Sequence, residues 1–226
     1  MSKIKAVLLD IDNTILDFHE GARSAMLSAA NEWGIVFPEN YFETFLTINN
    51  ALWHRIEQGD LTREELFKIR WPSIFDALGI DANGIEFEKD FRANLMYAAE
   101  PVTGAKAMLD YLYGKYPIYA ATNSLYAQQT ARLTKAGFMD YFSGMFVSEK
   151  IGAQKPSQVF YCHCIKSLAL EPDEIIMIGD SLNADIGGAK QAGIVTCWFN
   201  FEGAPRENGE IADYIIDSLD EIKKIL

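Results

Sequence analysis

Short apolar runs recur along the chain, and most are followed by polar residues and then by a segment of helical length. Strands are predicted at residues 4–9, 118–121, 175–178, 194–199 and 214–216. Helices are predicted at residues 126–136 and 182–192, since each of these segments ends at a glycine, which terminates helices at little cost. Short buried strands that alternate with helices are typical of βαβ units, so the pattern predicts an α/β fold with a parallel sheet.

Residues 16–99 show a different pattern, which is helical throughout and contains no segment with the character of a strand. Thr62 and Glu65 have the spacing of a capping box at the start of a helix. The chain is therefore predicted to contain two domains. An α/β core would comprise residues 1–15 and 100–226, and an all-helical domain of residues 16–99 would be inserted into it.

The composition is that of an ordinary globular protein, with 226 residues, 49% hydrophobic and 23% charged. The net charge of -12 argues against nucleic-acid polymers as partners, because no basic surplus exists to displace counterions from a phosphate backbone. The first apolar run is too short for a secretory signal, and no stretch approaches the roughly 20 apolar residues of a membrane span. Three cysteines give no disulfide framework. Together these features lead us to expect a cytoplasmic protein without a membrane partner.

Two carboxylates mark the end of the first predicted strand. Asp10 follows the apolar run directly, and Asp12 lies two residues later. Carboxylates at the end of a buried strand cost solvation free energy, so their presence there indicates a chemical function. In phosphate chemistry Asp10 would attack phosphorus, and Asp12 would give a proton to the leaving oxygen and later take one from water. The other interpretation of this common pattern is a surface turn that contains two aspartates.

Further reactive side chains follow the other predicted strands, namely Thr122, Lys155, Asp180 and Asp185. Ligands of open parallel sheets bind at the carboxyl ends of the strands, so these residues should gather with the first two acids. The carboxylates would repel a phosphate dianion, and each pair of like unit charges at ~4 Å costs ~1 kcal/mol in water and ~4 kcal/mol at an effective dielectric constant of about 20. One lysine does not offset several such repulsions, whereas Mg²⁺, which binds carboxylates and substrate phosphate, does so.

The full set of motifs resembles the signature of the haloacid dehalogenase-like (HAD) hydrolases. Residues 10–14 read D-I-D-N-T, Thr122 and Lys155 fit the next two motifs, and residues 179–185 read G-D-S-L-N-A-D. The match extends over almost the entire chain in the expected order. It implies a Rossmann-like (HAD-like) sheet core. It also implies that the inserted helical domain is a cap, which closes over the site, excludes water and selects the substrate.

The metal ligands that this resemblance implies are Asp10, Asp12, Asp180 and Asp185. The side chains of Asp10 and Asp180 would bind Mg²⁺ directly, and Asp12 would bind it through its main-chain carbonyl. Asp185 would orient a water molecule on the metal, or Lys155.

The resemblance also implies ligands for the transferred phosphoryl group. Its oxygens would be held by Thr122 and by the main-chain N–H of Asn123, while Lys155 would neutralise Asp10 and the group itself. Charge stabilisation of this kind is what phosphoryl transfer mainly requires.

Less common stretches resemble the 5′-nucleotidases of the YjjG and YfnB type within this superfamily. Residues 13–18 read N-T-I-L-D-F and residues 196–200 read T-C-W-F-N, while Ser124 stands where these proteins often have glycine. The implied substrate is a nucleoside 5′-monophosphate. Because aromatic rings stack on bases and arginine binds carbonyl or phosphate oxygens, Phe18 and Arg70 are predicted to contact it. Further candidates are His19, Trp53, Glu57 and Trp71.

Other reactions of the same superfamily remain open. A phosphoglycolate-type phosphatase, another small-metabolite phosphatase or a phosphomutase would use the same motifs. A haloacid dehalogenase also has an aspartate nucleophile, but it needs neither a second acid at Asp12 nor Mg²⁺. Asp12 and Asp180 therefore argue against dehalogenation.

Overall fold

Six short strands form one parallel sheet in a computed structural model of the protein, which describes residues 3–226. The strands are β1 (Ala6–Leu9), β2 (Ile118–Thr122), β3 (Phe142–Val147), β4 (Ile175–Gly179), β5 (Val195–Phe199) and β6 (Tyr214–Ile216). Their order across the sheet is β3-β2-β1-β4-β5-β6, and every neighbouring pair is parallel. The predicted α/β fold with a parallel sheet is confirmed.

Helical segments occupy most of the connections between the strands. Among the described residues, the α-helices are α1 (Phe18–Trp33), α2 (Tyr41–Gln58), α3 (Arg63–Leu78), α4 (Gly84–Leu95), α5 (Ala105–Leu112), α6 (Tyr126–Lys135), α7 (Ser148–Ile151), α8 (Gln158–Leu168) and α9 (Gly188–Gln191). A π-helical turn (Leu182–Gly187) precedes α9, and 3₁₀ turns lie at Met139–Tyr141, Pro172–Glu174, Arg206–Gly209 and Leu219–Lys224. None of the helices in the described part of the chain is long and apolar enough to span a membrane.

Both faces of the sheet are buried, which explains why its strands are continuous apolar runs. Val7 and Leu9 of β1 belong to one hydrophobic cluster, together with Ile178 of β4 and residues of α5. Leu8 and Met177 belong to a second cluster, together with residues of α8 and α9. Successive side chains of a strand point to opposite faces, so the two clusters cover the two faces of the sheet.

The chain separates into two compact units. One contains the described residues up to Phe18 together with Ala99–Leu226, and the other contains His19–Ala98. Leu16 and Pro101 form an antiparallel bridge within the first unit, so the chain leaves that unit and returns to it at neighbouring points.

The second unit, which we call the helical unit (His19–Ala98), has its own hydrophobic interior. Trp71 is fully buried, and its ring centroid lies 4.4 Å from that of Phe87 and 5.3 Å from that of Phe91. The capping box of Thr62 and Glu65 is present at the start of α3. The aromatic packing gives this segment a core that is separate from the two clusters on the sheet.

Candidate active site

The carboxyl ends of three neighbouring strands carry the predicted polar side chains. Asp10 directly follows β1, Thr122 is the last residue of β2, and Asp180 directly follows β4. Because β1 lies between β2 and β4, these residues share one edge of the sheet. Lys155, which follows α7, reaches the same edge and donates a hydrogen bond of 2.6 Å to Asp10 Oδ1.

Lys155 lies at the centre of this site and is almost completely buried. Its ammonium group donates to Asp10 Oδ1 at 2.6 Å, to Asp185 Oδ1 at 2.7 Å and to the carbonyl oxygen of Ala121 at 2.7 Å. Burial alone would lower the pKa of Lys155, but the charges of Asp10 and Asp185 outweigh it and raise the pKa. An ammonium has three donors, and all three are used here. Lys155 therefore neutralises Asp10, whereas its predicted contact with the phosphoryl group stays a prediction.

Asn123 fixes the main chain of Lys155. Its side-chain oxygen accepts a hydrogen bond of 2.8 Å from the Lys155 N–H, and its Nδ2 donates one of 2.9 Å to the Lys155 carbonyl. These two hydrogen bonds connect the end of β2 to the loop that contains Lys155. The sequence indicated only the main-chain N–H of Asn123 as functional, and that role stays a prediction.

Three carboxylates form a compact cluster at the same edge. Asp10, Asp180 and Asp185 each offer an oxygen, and these oxygens lie within 4.8 Å of one another. Asp185 is held in the π-helical turn, where its Oδ2 accepts a hydrogen bond of 3.1 Å from the Ser181 N–H. A Cβ atom at Gly179 would collide with the Asp185 carboxylate, so the glycine allows this close approach.

Thr14 supports the same cluster from the loop that follows β1. Its hydroxyl is buried and donates a hydrogen bond of 3.4 Å to Asp180 Oδ1. Asn13 adopts a left-handed conformation with φ of 57°, which asparagine tolerates better than most residues. Its Oδ1 accepts a hydrogen bond of 3.0 Å from the Phe18 N–H at the start of α1. The D-x-D-N-T segment thus turns the chain sharply while it keeps the two acids at the sheet edge.

The electrostatics of the cluster favour a bound cation. Burial, reinforced by Asp185 and Asp12 and opposed by Lys155, raises the pKa of Asp10 to about 7. Burial and the charge of Asp10 also raise the pKa of Asp180 well above its ordinary range. Carboxylate oxygens are ligands that Mg²⁺ prefers, and a divalent ion would relieve the repulsion that these shifts reflect. The residues at this edge therefore fit Mg²⁺.

The raised pKa of Asp10 makes metal binding and stability depend on pH. The folded state holds a proton at Asp10 up to about pH 7, whereas the unfolded chain loses it near the ordinary value of 3.8. Stability from this group therefore falls as the pH rises through that window, and a cation that replaces the proton binds more tightly above it.

We accordingly expect Mg²⁺ to raise the Tm more at about pH 8 than at about pH 6, with a stabilisation of roughly 2.7 kcal/mol at a hundredfold excess over Kd. Differential scanning calorimetry with and without Mg²⁺ measures this, and the exposed-acid variant Asp220→Asn is the control. Equal Tm shifts at the two pH values would contradict the expected competition between proton and metal.

Asp12 has an environment unlike that of Asp10. Its Oδ2 accepts a hydrogen bond of 2.6 Å from Gln129 Nε2, and its Oδ1 forms an ion pair with Arg132. Gln129 and Arg132 are buried and lie three residues apart on α6, which places them on one face of that helix. Sequence reasoning missed this contact. The available signal was an arginine and a glutamine at helical spacing, directly after a strand that ends at the site.

Two of the predicted substrate contacts lie in the helical unit or at its border. The interior of the helical unit contains Arg70, whose guanidinium donates to Glu88 at 2.5 and 3.1 Å and to Asn49 Oδ1 at 3.0 Å. Arg70 is only 3% exposed, so these contacts favour a structural role over the predicted substrate contact. The fully buried Trp71 belongs to the aromatic core of the same unit. Phe18 is half-buried at the start of α1, and its contact with a substrate stays a prediction.

Comparison with known proteins identifies the family. Residues 4–193 match the family model of the haloacid dehalogenase-like hydrolases, and the chain belongs to this family. The resemblance seen in the sequence motifs is thereby confirmed, and with it the expectation that the protein is an enzyme. The family and the relatives support phosphatase activity of the HAD type.

Three relatives in this family are similar to the chain over most of its length. Pyrimidine 5′-nucleotidase PynA of Streptococcus pneumoniae is 34% identical over 198 residues, which cover 87% of this chain and 84% of that protein. The HAD-hydrolase YfnB of Bacillus subtilis is 31% identical, with 100% and 97% covered. A magnesium-bound crystal structure of YfnB matches with a TM-score of 0.92 and covers 99% and 98% of the two chains. Pyrimidine 5′-nucleotidase YjjG of Escherichia coli is 26% identical, with 97% and 96% covered.

Proposed function

We propose that the protein is a Mg²⁺-dependent phosphomonoester hydrolase that forms an aspartyl phosphate at Asp10, and that its substrates are nucleoside 5′-monophosphates. The observation that carries the chemistry is the contrast between two acids two residues apart. Asp10 is buried against Lys155 in the acid cluster, whereas Asp12 lies partly exposed against Arg132 and Gln129. Different environments for two neighbouring carboxylates suit them to different roles, one as nucleophile and one as acid and base.

In the first step a carboxylate oxygen of Asp10 attacks phosphorus, and the bond between phosphorus and the ester oxygen breaks. Asp12 gives its proton to the leaving oxygen, which departs as an alcohol. Lys155 neutralises Asp10 while the new bond forms, through the hydrogen bond of 2.6 Å. Thr122 and the main-chain N–H of Asn123 are proposed to hold the phosphoryl oxygens.

In the second step the ionised Asp12 takes a proton from a water molecule, whose oxygen attacks phosphorus. The bond between phosphorus and Asp10 breaks, inorganic phosphate forms, and Asp10 returns to its carboxylate. Mg²⁺ would be held by Asp10 and Asp180, with the Asp12 carbonyl and Asp185 in support. When bound, it supplies the positive charge that lets a phosphate dianion approach the acids.

The choice of nucleotides as substrates rests on relatives and on the helical unit. PynA and YjjG are named pyrimidine 5′-nucleotidases, and the chain is 34% and 26% identical to them. In the proposed mechanism the core residues hold the phosphoryl group and act on the ester oxygen alone, so another part of the protein must distinguish leaving groups. We propose that the helical unit serves as a cap that makes this distinction, with Phe18 at the border as a stacking surface for the base. The crystal structure of YfnB bound to magnesium reveals interdomain movement in that protein.

A substrate screen tests this specificity. We expect higher kcat/KM for nucleoside 5′-monophosphates, especially pyrimidine or deoxy forms, than for phosphoglycolate or hexose phosphates. Phe18→Ala should raise KM for nucleotides and spare p-nitrophenyl phosphate, because base stacking worth roughly 1–3 kcal/mol is lost while the chemistry is kept. Leu27→Ala, at an exposed position of α1, is the matched control.

Two results would overturn the nucleotide assignment. Faster turnover of phosphoglycolate than of any nucleotide would show that the enzyme is a small-metabolite phosphatase of another specificity. If thermal denaturation shows that Phe18→Ala does not fold, Phe18 belongs to the hydrophobic core and does not contact the base.

A further inference from the structure

We infer that Arg132 and Gln129 are positioning residues that hold the carboxylate of Asp12 in the orientation required for proton transfer. This inference rests on the proposed function, in which Asp12 is the acid and base. It adds two residues of α6 to the reaction, although neither is expected to touch the substrate. The observation that carries it is a fully buried arginine that pairs with an acid at the rim of the site.

Arg132 is unusual because its side chain is completely buried within the unit that contains the parallel sheet. A buried guanidinium is destabilising unless it is paired, and apolar side chains of similar volume often replace buried ion pairs without loss of stability. Its neighbour Leu133 belongs to the hydrophobic cluster on one face of the sheet, so apolar packing of α6 is already provided there. A purely structural requirement therefore does not explain a charge at position 132.

The geometry shows what the charge does. Arg132 Nη1 pairs with Asp12 Oδ1 and also donates a hydrogen bond of 3.1 Å to Gln129 Oε1. Because the amide oxygen of Gln129 faces the guanidinium, its Nε2 faces Asp12 Oδ2 at 2.6 Å. Each carboxylate oxygen of Asp12 thus has its own donor, and rotation of the carboxylate is restricted.

The side-chain amide of Gln129 also lies close to Thr122, which is proposed to hold a phosphoryl oxygen. Gln129 Nε2 lies 3.3 Å from the hydroxyl oxygen of Thr122, at the end of β2. The proton-transfer group and the phosphoryl-binding hydroxyl are therefore placed against one side chain. Without these contacts Asp12, whose side chain is 30% exposed, would be free to turn away from the like charge of Asp10 and into solvent.

Kinetics of Arg132→Met test the inference, since methionine keeps much of the volume and removes the donors. We expect kcat for a nucleoside monophosphate to fall about 10- to 100-fold, as when other supporting hydrogen-bond partners are removed, while KM changes little. Turnover of p-nitrophenyl phosphate, whose leaving group needs no proton, should fall far less. Arg132→Lys should restore part of the lost rate. Lys135→Gln removes a charge from an exposed position of the same helix and serves as the control.

A double-mutant cycle separates positioning from general damage. If Arg132 acts through Asp12, Arg132→Met should cause no further loss in an Asp12→Asn background. Additive losses, or equal losses for good and poor leaving groups, would overturn the inference. If Arg132→Met does not fold, Gln129→Met replaces it in the same cycle, with the same expected and contradicting results. An Asp12→Asn variant with full nucleotide turnover would instead overturn the proposed function itself.

Discussion

Asp10→Asn is expected to abolish phosphate release while the protein stays folded. An amide cannot attack phosphorus effectively, and removal of a nucleophile costs on the order of 10⁴- to 10⁶-fold in other hydrolases. The fold should survive because the substituted amide carries no charge, and burial already disfavours the charged form of Asp10 by raising its pKa to about 7. Lys155 would keep Asp185 and the Ala121 carbonyl as partners.

Phosphate release and thermal unfolding, measured on the same preparations, check this expectation. Asp220→Asn removes a carboxylate from an exposed position and should leave both quantities at their wild-type values. The Tm of Asp10→Asn without metal should equal or exceed that of the wild type, because a repulsive buried charge is gone. A rate above a few per cent of wild type would show that Asp10 is not the nucleophile.

Removal of divalent cations should also abolish turnover, and Mg²⁺ should restore it. The four carboxylates of the site outnumber the cations of Lys155 and Arg132 by two charges when all of these groups are ionised. A phosphate dianion that approaches this excess is repelled by ~4 kcal/mol per charge at ~4 Å and an effective dielectric constant of about 20. Several such repulsions correspond to a loss of many powers of ten in rate.

The measurement is phosphate release after dialysis against EDTA, followed by titration with Mg²⁺. EDTA that has been saturated with Mg²⁺ before addition is the control for effects of the chelator itself. Full activity in an excess of free EDTA would contradict the proposed metal dependence.

The part of the site that the sequence predicts well is the part attached to strand ends. Asp10, Thr122 and Asp180 each lie at the carboxyl end of an apolar run, and parallel pairing alone brings such positions to one edge. No knowledge of side-chain packing is needed for this inference. Strand order then decides how close they lie along that edge, and here β1 lies between β2 and β4.

Residues whose roles depend on side-chain packing could not be predicted. Arg132 reaches Asp12 only because α6 turns one face toward the end of β1, and that rotation is decided by packing against the sheet. In the sequence Arg70 looks like a substrate-binding arginine, but three hydrogen bonds inside the helical unit hold its guanidinium. Neither outcome is encoded in local spacing.

Helix geometry near Asp185 also differs from the prediction. A regular helix over residues 182–192 was the expectation, whereas Leu182–Gly187 forms a π-helical turn and only Gly188–Gln191 is α-helical. Turns of this kind often occur at functional sites. Here the turn buries Asp185, whose carboxylate pairs with Lys155 at 2.7 Å.

Trapping of the phosphorylated enzyme shows whether Asp10 is the nucleophile. Enzyme with Mg²⁺ would be mixed with a nucleoside monophosphate, quenched in acid during turnover and reduced with borohydride, which converts an acyl phosphate to an alcohol. Peptide mass spectrometry should then find homoserine at position 10, only in samples that received substrate and not in the Asp10→Asn variant. Continued phosphate release with no modification at Asp10, or with the modification at another carboxylate, would contradict the proposed mechanism.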